Sequence, residues 1–198
     1  MEPSKLPRSS GQASSLFSGI VRAPPPPPTD IPVPPPSVDM PQPCYSALAL
    51  DIDGTITTAD ARVVYGLVQE ARQAGSHVAI NTARPQLYCD APEWGLTTHL
   101  VAREHHYCGA AWTRSLAAAV AWGILGNIPK SKVANMDRIA EKCNVPRACA
   151  LLVDDRPENI EAAERAGYVG VLVDEQTGIT ARIARDIMDR LKRCAQAL

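Results

Sequence analysis

The run Asp51-Ile52-Asp53-Gly54-Thr55 sets two carboxylates two residues apart, directly after the short apolar stretch Ser46 to Leu50. With Gly54 allowing a sharp turn, the two acids can take separate tasks. One can attack phosphorus or bind a metal, while the other, turned away, gives and takes a proton. The same letters also suit a plain strand-ending turn or a calcium loop. The calcium pattern needs further ligands and a Glu close by, which Ala59-Asp60-Ala61 does not supply. Thr82, in Ile80-Asn81-Thr82-Ala83-Arg84-Pro85, offers a hydroxyl that can hydrogen-bond a phosphoryl oxygen without adding charge, although a Thr so placed also serves as a helix cap. A lysine further on, Lys130 or Lys132, can neutralise a phosphoryl group and hold a nucleophilic carboxylate beside it. Asp154-Asp155, with Asn159 following, are adjacent carboxylates that are costly without a counter-charge, which a hard cation such as Mg²⁺ supplies. The plainer reading of that pair is a helix N-cap beside a surface Asp.

The elements between these residues decide whether they can meet. Ser46 to Leu50 reads as a strand ending at Asp51. Ala59 to Ala74 reads as a helix with Val64, Leu67, Val68 and Ala71 on one face and Gly75 as its stop. His77 to Asn81 is the next expected strand, ending at Thr82, and His99 to Ala102 a third. Trp112 to Leu125 reads as an alanine-rich helix in which Trp112 and Trp122 are packing residues. Ser131 to Cys143 is expected as a helix capped by Ser131, with Met136, Ile139, Ala140 and Cys143 inward. Cys149 to Val153 is a strand ending at Asp154, and Pro157 to Ala166 a helix. Tyr168 to Val173 is a fifth strand, and Ile179, Ile183, Ile187 and Leu191 form one stripe of a last helix. Strands alternating with helices imply an α/β fold, a three-layer Rossmannoid parallel sheet with helices on both faces. In such sheets functional groups gather beyond the carboxyl ends of the strands. Asp51, Thr82 and Asp154 each follow a strand, so all three are expected in one crevice.

Taken in order, Asp-x-Asp-Gly-Thr, Thr, Lys and Asp-Asp resemble the four motifs of the haloacid dehalogenase (HAD) superfamily, over about residues 45 to 175. The stretch from Lys132 through Asp154-Asp155 to Asn159-Ile160 is most similar to the Asp-Asp-type branch, which holds small magnesium-dependent phosphatases. The lysine spacing of that branch favours Lys132, and that of the Lys-Pro-x-Pro branch favours Lys130. The resemblance implies a Mg²⁺-dependent phosphomonoesterase in which Asp51 forms an aspartyl-phosphate and Asp53 serves as acid, then base. Thr82 and Lys132 would hold the phosphoryl oxygens. Asp51, the backbone carbonyl of Asp53 and Asp155 would ligate the metal, with Asp154 as a nearby or alternative ligand. The carbon–halogen-cleaving members generally lack the second Asp, so Asp53 favours phosphoryl chemistry.

The gaps imply a capless or minimally capped domain. Only 26 residues separate Thr55 from Thr82, and the 49 residues from Ala83 to Ser131 are largely claimed by a strand and two helical stretches. An open site suits a large substrate or surface loops that help bind a small one. The Ala83 to Trp94 loop, with Arg84 and Tyr88, is the expected specificity element; Arg84 either meets a second anionic group or makes a structural ion pair.

The rest of the chain sets boundaries. Residues 1–43 hold 13 of the 18 prolines, so this segment is expected as a disordered or polyproline II tail before a domain at 44–198. Residues 24–36 suit either a plain linker or a ligand for a proline-motif-binding protein. A formal charge of −1 gives no basic field for nucleic acid, and no apolar stretch is long enough for a membrane span. Six scattered cysteines without a CxxC pair read as free thiols of a reducing compartment, hence a cytoplasmic protein. The Ser-rich first 22 residues leave a plastid or mitochondrial transit peptide as the alternative. Arg103-Glu104-His105-His106-Tyr107-Cys108 invites a zinc reading, but no second cluster lies at zinc-finger spacing. Rival functions are a phosphotransferase and a non-catalytic module presenting the proline-rich tail. A signalling receiver domain fits less well, because its acidic pair comes first along the chain.

Overall fold

The computed structural model describes residues 44–85, 100–110 and 128–197. Five strands, β1 (Ser46–Leu50), β2 (Ser76–Pro85), β3 (His106–Ala110), β4 (Ala150–Asp154) and β5 (Val169–Leu172), pair in parallel in the order β3-β2-β1-β4-β5. Four described helices flank them: α1 (Ala61–Gln73), α2 (Ile128–Cys143), α3 (Pro157–Arg165) and α4 (Ala181–Ala197). Short 3-10 turns, Arg103–His105 and Arg147–Cys149, lead into β3 and β4. This is the α/β Rossmannoid sheet with helices on both faces that the sequence implies.

Alternation along the strands sorts two cores. Leu48 and Leu50 of β1, Val78 and Ile80 of β2 and Leu151 and Val153 of β4 turn to one face, where α1 and α4 bring Val64, Leu67, Val68, Ile187, Met188 and Leu191. Ala47, Ala49, Ala79 and Ala150 turn to the other, against Met136, Ile139 and Ala140 of α2 and Ile160 and Ala163 of α3. The small side chains on this second face let α2 lie close to the strands, which matters for the lysine it carries. Local signals set the ends of α1. Asp60 caps it by accepting the Arg62 N–H at 2.8 Å, and Gly75 follows its last turn at φ +77.

Several expectations need correction. The third strand is His106–Ala110; residues 100–102 lie in no strand, and the Arg103–His105 turn stands between. The short apolar run ending at Ala102 lacks the pairing that His106, Tyr107 and Cys108 make with Ile80, Asn81 and Thr82. β2 runs through Thr82 to Pro85, with a register shift against β3 between Thr82 and Pro85. Helix α2 begins at Ile128, so Ser131 is inside it and is no cap; its hydroxyl donates to the Gly109 carbonyl at 2.9 Å. Ile179 is buried but precedes α4, whose inward residues are Ile187, Met188 and Leu191. The free-thiol reading fails for part of the set. Cys149 and Cys194 form a disulfide with Cα atoms 5.6 Å apart, Cys108 is also disulfide-bonded, and Cys44 and Cys143 are free. Spacing cannot show such pairs, because α4 returns Cys194 to the start of β4 only in the folded chain. The expected tail over 1–43, the helix over 112–125 and most of the 83–94 loop lie outside the described residues. Among the described residues no helix is long and apolar enough to cross a membrane.

One strand residue yields a stability prediction. His77 of β2 is mostly buried, its ring edge-on to that of His105 at 4.5 Å, and its Nε2 has no hydrogen-bond partner. Burial, then the positive neighbours His105, Lys142 and Arg72, push its pKa down to about 4 from 6.5. The unfolded chain therefore binds a proton in this window that the folded chain refuses. The contribution of neutral His77 is complete above about 6.5 and is lost as pH falls towards about 4. Urea unfolding should show stability dropping from pH 7 to pH 5 more steeply in the wild type than in His77→Gln. Equal slopes would remove His77 as a cause.

Candidate active site

Strand order reverses at β1, which pairs with β2 on one side and β4 on the other, so the crevice at the switch point opens over β1 and β4. Leu50 lies opposite Val153, and the Asp51 N–H donates to the Val153 carbonyl at 3.0 Å. One residue further along, Asp51 and Asp154 are consequently neighbours. Both are buried.

Lys132 of α2 joins them. Its ammonium lies 2.6 Å from Asp51 Oδ1 and 2.8 Å from Asp154 Oδ2, and donates to the Asn81 carbonyl at 2.5 Å. Its side chain is 1% exposed, whereas Lys130 points outward. Of the two lysines left open by spacing, Lys132 is the one brought to the acids. Burial works against its charge, but Asp51 and Asp154 outweigh that and hold its pKa above the ordinary lysine value. Burial pushes Asp51 up to about 6, Lys132 pulls it down, and Asp154 adds to the rise.

Two hydrogen bonds on one oxygen, added to Lys132 on the other, fix the second acidic element. Asp154 Oδ1 accepts the Arg156 N–H at 3.0 Å and the Asn159 side-chain amide at 2.9 Å, so its buried carboxylate is held from both ends. Asp155 turns instead towards the Gly54 turn. A Cβ at Gly54 would come within 2.6 Å of Asp155 Oδ2, and Gly54 has φ +70. Glycine is required there on both counts. The Asp155 carboxyl is raised, first by burial and also by Asp154. The loop after β5 closes on the same turn, with the Ile179 N–H donating to the Thr55 carbonyl at 3.3 Å.

Asp53 stands apart from this buried set. Its side chain is 60% exposed and is gripped by Arg84, with Nε donating to Oδ2 at 2.7 Å and Nη2 to Oδ1. Of the two expectations for Arg84, the ion pair is what the structure contains. Thr82 is buried in β2, and its hydroxyl accepts the Arg84 N–H at 3.2 Å. The wall of the crevice at that point is Ala83, in a cavity lined also by Asp51, Asp53, Lys132, Asp155 and Glu175.

The arrangement suits a hard cation. Asp51, Asp154 and Asp155 each offer a carboxylate oxygen, all within 4.8 Å of one another, facing a single ammonium. Asn159 Oδ1 is buried at the same wall without a hydrogen-bond partner. Oxygen donors with surplus negative charge are the ligand set of Mg²⁺ or Ca²⁺ and not of a soft metal. The His105–Cys108 stretch forms no such group among the described residues, and Cys108 is engaged in its disulfide.

Two layers behind the site went unread in the sequence. Asn81 Nδ2 donates to the Lys132 carbonyl at 3.0 Å, and Asn135 Nδ2 bridges Asn81 Oδ1 and the Tyr107 carbonyl at 3.0 and 3.2 Å. The available signal was Asn135 on the same helical stripe as Lys132, Met136 and Ile139, where an apolar residue would be expected. Glu175 and Arg156 on the cavity wall had no such signal.

No family model and no curated protein matches the chain. Among solved structures it is similar to an uncharacterised protein from Corynebacterium glutamicum. That likeness has 20% identity and a TM-score of 0.52, and spans 74% of this chain and 95% of that one. It is also similar to a Mesorhizobium loti protein provisionally described as a HAD-like phosphatase, at 16% identity and TM-score 0.45 over 77% and 88% of the chains. The first likeness supports the fold and nothing finer.

Removing the lysine tests the electrostatics. Lys132→Met leaves Asp51 and Asp154 buried without their cation and should cost about 3–5 kcal/mol of stability in chemical unfolding. Adding Asp154→Asn should restore part of it. A Lys132→Met protein as stable as the wild type would show that the pair is not buried as described.

Proposed function

We propose that the chain is a Mg²⁺-dependent phosphatase that hydrolyses a phosphomonoester through Asp51. The observation that carries this reading is the buried ammonium of Lys132 held between Asp51 and Asp154 at the switch point, with Asp155 against the Gly54 turn. A lysine there steadies the nucleophilic carboxylate and offsets the charge of an arriving phosphoryl group.

In the proposed reaction an Asp51 carboxylate oxygen attacks phosphorus, the ester P–O bond breaks, and Asp53 gives its proton to the leaving oxygen. Asp53, now ionised, takes a proton from water as that water attacks the aspartyl-phosphate. The P–O bond to Asp51 breaks and inorganic phosphate leaves. Thr82 and Lys132 bind phosphoryl oxygens; the Thr82 hydroxyl can donate its own proton while accepting the Arg84 N–H. Because Arg84 grips the Asp53 carboxylate in the resting arrangement, it must release it, and the freed carboxylate must take up a proton from solvent, before the transfer to the leaving oxygen; the guanidinium then stands ready for an anionic group of the substrate. Asp51, Asp155 and the Asp53 carbonyl, with Asp154 beside them, would hold the magnesium, which would supply neutralisation of the phosphoryl charge. Transfer to an acceptor other than water would use the same groups.

Two further readings belong to this proposal. Residues 24–36 act as a polyproline ligand for a partner with an aromatic-lined groove. The chain works in the cytoplasm, or in a plastid or mitochondrion where residues 1–22 serve as a transit peptide; the Cys149–Cys194 bond weighs against the first.

Hydrolysis of p-nitrophenyl phosphate with Mg²⁺, with EDTA and by Asp51→Asn tests the reaction class. Turnover should need the metal and fall about a thousandfold or more in Asp51→Asn. Full activity in that variant would sink the mechanism.

A further inference from the structure

We propose that Arg84 is a selectivity latch. It withholds Asp53 from substrates that bring only a phosphoryl group, and yields it to phosphomonoesters with a second anionic group, carboxylate or phosphate, close to the ester. This rests on the phosphatase reading above and names the substrate class for it. The pair is bidentate: Arg84 Nε donates to Asp53 Oδ2 at 2.7 Å and Nη2 to Oδ1. Both oxygens are committed to the guanidinium, so the acid serves a leaving group only once the pair opens.

The two partners are held unequally. The Arg84 side chain is 17% exposed, against 60% for that of Asp53. Its backbone is pinned, with the N–H donating to Thr82 Oγ1 at 3.2 Å and Pro85 pairing with Ala110 of β3 beyond the register shift. Gly109 lets β3 close on this stretch, since a Cβ there would lie 2.7 Å from the Ala83 carbonyl oxygen. The Gly109 carbonyl in turn accepts the Ser131 hydroxyl at 2.9 Å, one residue before Lys132. Arg84 and Lys132 thus belong to one frame, while Asp53 sits on the exposed turn beside Gly54. When the pair opens, the carboxylate leaves and the guanidinium stays.

What replaces Asp53 must match the fork it vacates. A guanidinium presents parallel N–H donors that fit two oxygens of a carboxylate or a phosphate. An ion pair this exposed contributes little net, so a substrate anion displaces Asp53 readily. A substrate with its phosphoryl group alone must open the pair without compensation. Binding of the second anion is thereby turned into readiness of the acid, which raises kcat and not only affinity. The crevice is small, about 140 Å³, with Asp53 and Ala83 on its wall beside Asp51 and Lys132. The second anion therefore lies a few bonds from the phosphoryl group. Arg156, which follows β4 on the other side of β1, is exposed and stands 3.7 Å from Glu158, without such an ordered fork.

The test compares propyl phosphate with its analogues that end in a carboxylate or in a second phosphate, using the full chain with Mg²⁺. Alkyl esters are needed because their leaving oxygen requires a proton. The wild type should favour the two-anion esters over propyl phosphate by about tenfold or more in kcat/KM, and the larger of the two ratios tells which anion the latch takes. Arg84→Gln should raise kcat for propyl phosphate severalfold, lower kcat/KM for the two-anion esters and abolish the preference; Arg84→Lys should keep only part of it. A purely structural role would instead lower all three esters together. That outcome overturns the proposal, as does a wild type without preference, or a preference lost in Arg156→Gln and kept in Arg84→Gln. Should none of the esters turn over, the phosphatase reading falls, and calorimetric titration with the two-anion esters decides the latch by itself. Binding about tenfold tighter to the wild type than to Arg84→Gln supports it; equal affinity, or binding to neither, overturns it.

Discussion

A lysine ammonium buried between two aspartates is the constraint around which this molecule is arranged. An ammonium without water is costly by several kcal/mol, and it is tolerated only where partners surround it closely. Here those partners come from three strands: Asp51 after β1, Asp154 at the end of β4 and the Asn81 carbonyl in β2. The contact therefore demands that β1 lie between β2 and β4 and that α2 cross their ends at short range. Alanines at 47, 49, 79 and 150 satisfy the second demand, since larger residues on that face would lift the helix away. Asn81 and Asn135 then fix the helix along its own axis through its backbone and side chains.

The same constraint leaves a charge imbalance that points outward to ligands. Three carboxylates share one ammonium, and burial pushes Asp51 and Asp155 towards their neutral forms. A site built only for stability would have fewer acids or more cations. Gly54 shows the same bias, because the turn gives up a side chain altogether so that Asp155 can approach. Asp53, by contrast, remains exposed at the rim in the grip of Arg84.

Much of this was legible because chemistry and periodicity coincide in the sequence. Asp51 and Asp154 each follow four or five apolar residues, so their convergence follows from the parallel-sheet rule once the strands are found. Spacing within the resemblance favours Lys132 over Lys130, and the packing of α2 brings Lys132 to the acids. The third strand was misplaced because residues 99–102 carry an apolar signal, while the real strand, His106–Ala110, is polar at its start and is defined by its pairing with β2. Asn81 and Asn135 were invisible as a pair, since a hydrogen bond across 54 residues has no local signature. The Cys149–Cys194 bond escaped for the same reason, its partners being 45 residues apart and joined only when α4 packs.

The central claim is that the three aspartates beside Lys132 hold one divalent cation. Titrating the folded chain with Mn²⁺ and following the free-ion signal by electron paramagnetic resonance tests it directly. The account predicts one ion retained per chain, displaced by Mg²⁺, and lost in Asp155→Asn while circular dichroism stays unchanged. Absence of retained Mn²⁺ in the wild type, or retention undiminished in Asp155→Asn, would contradict it.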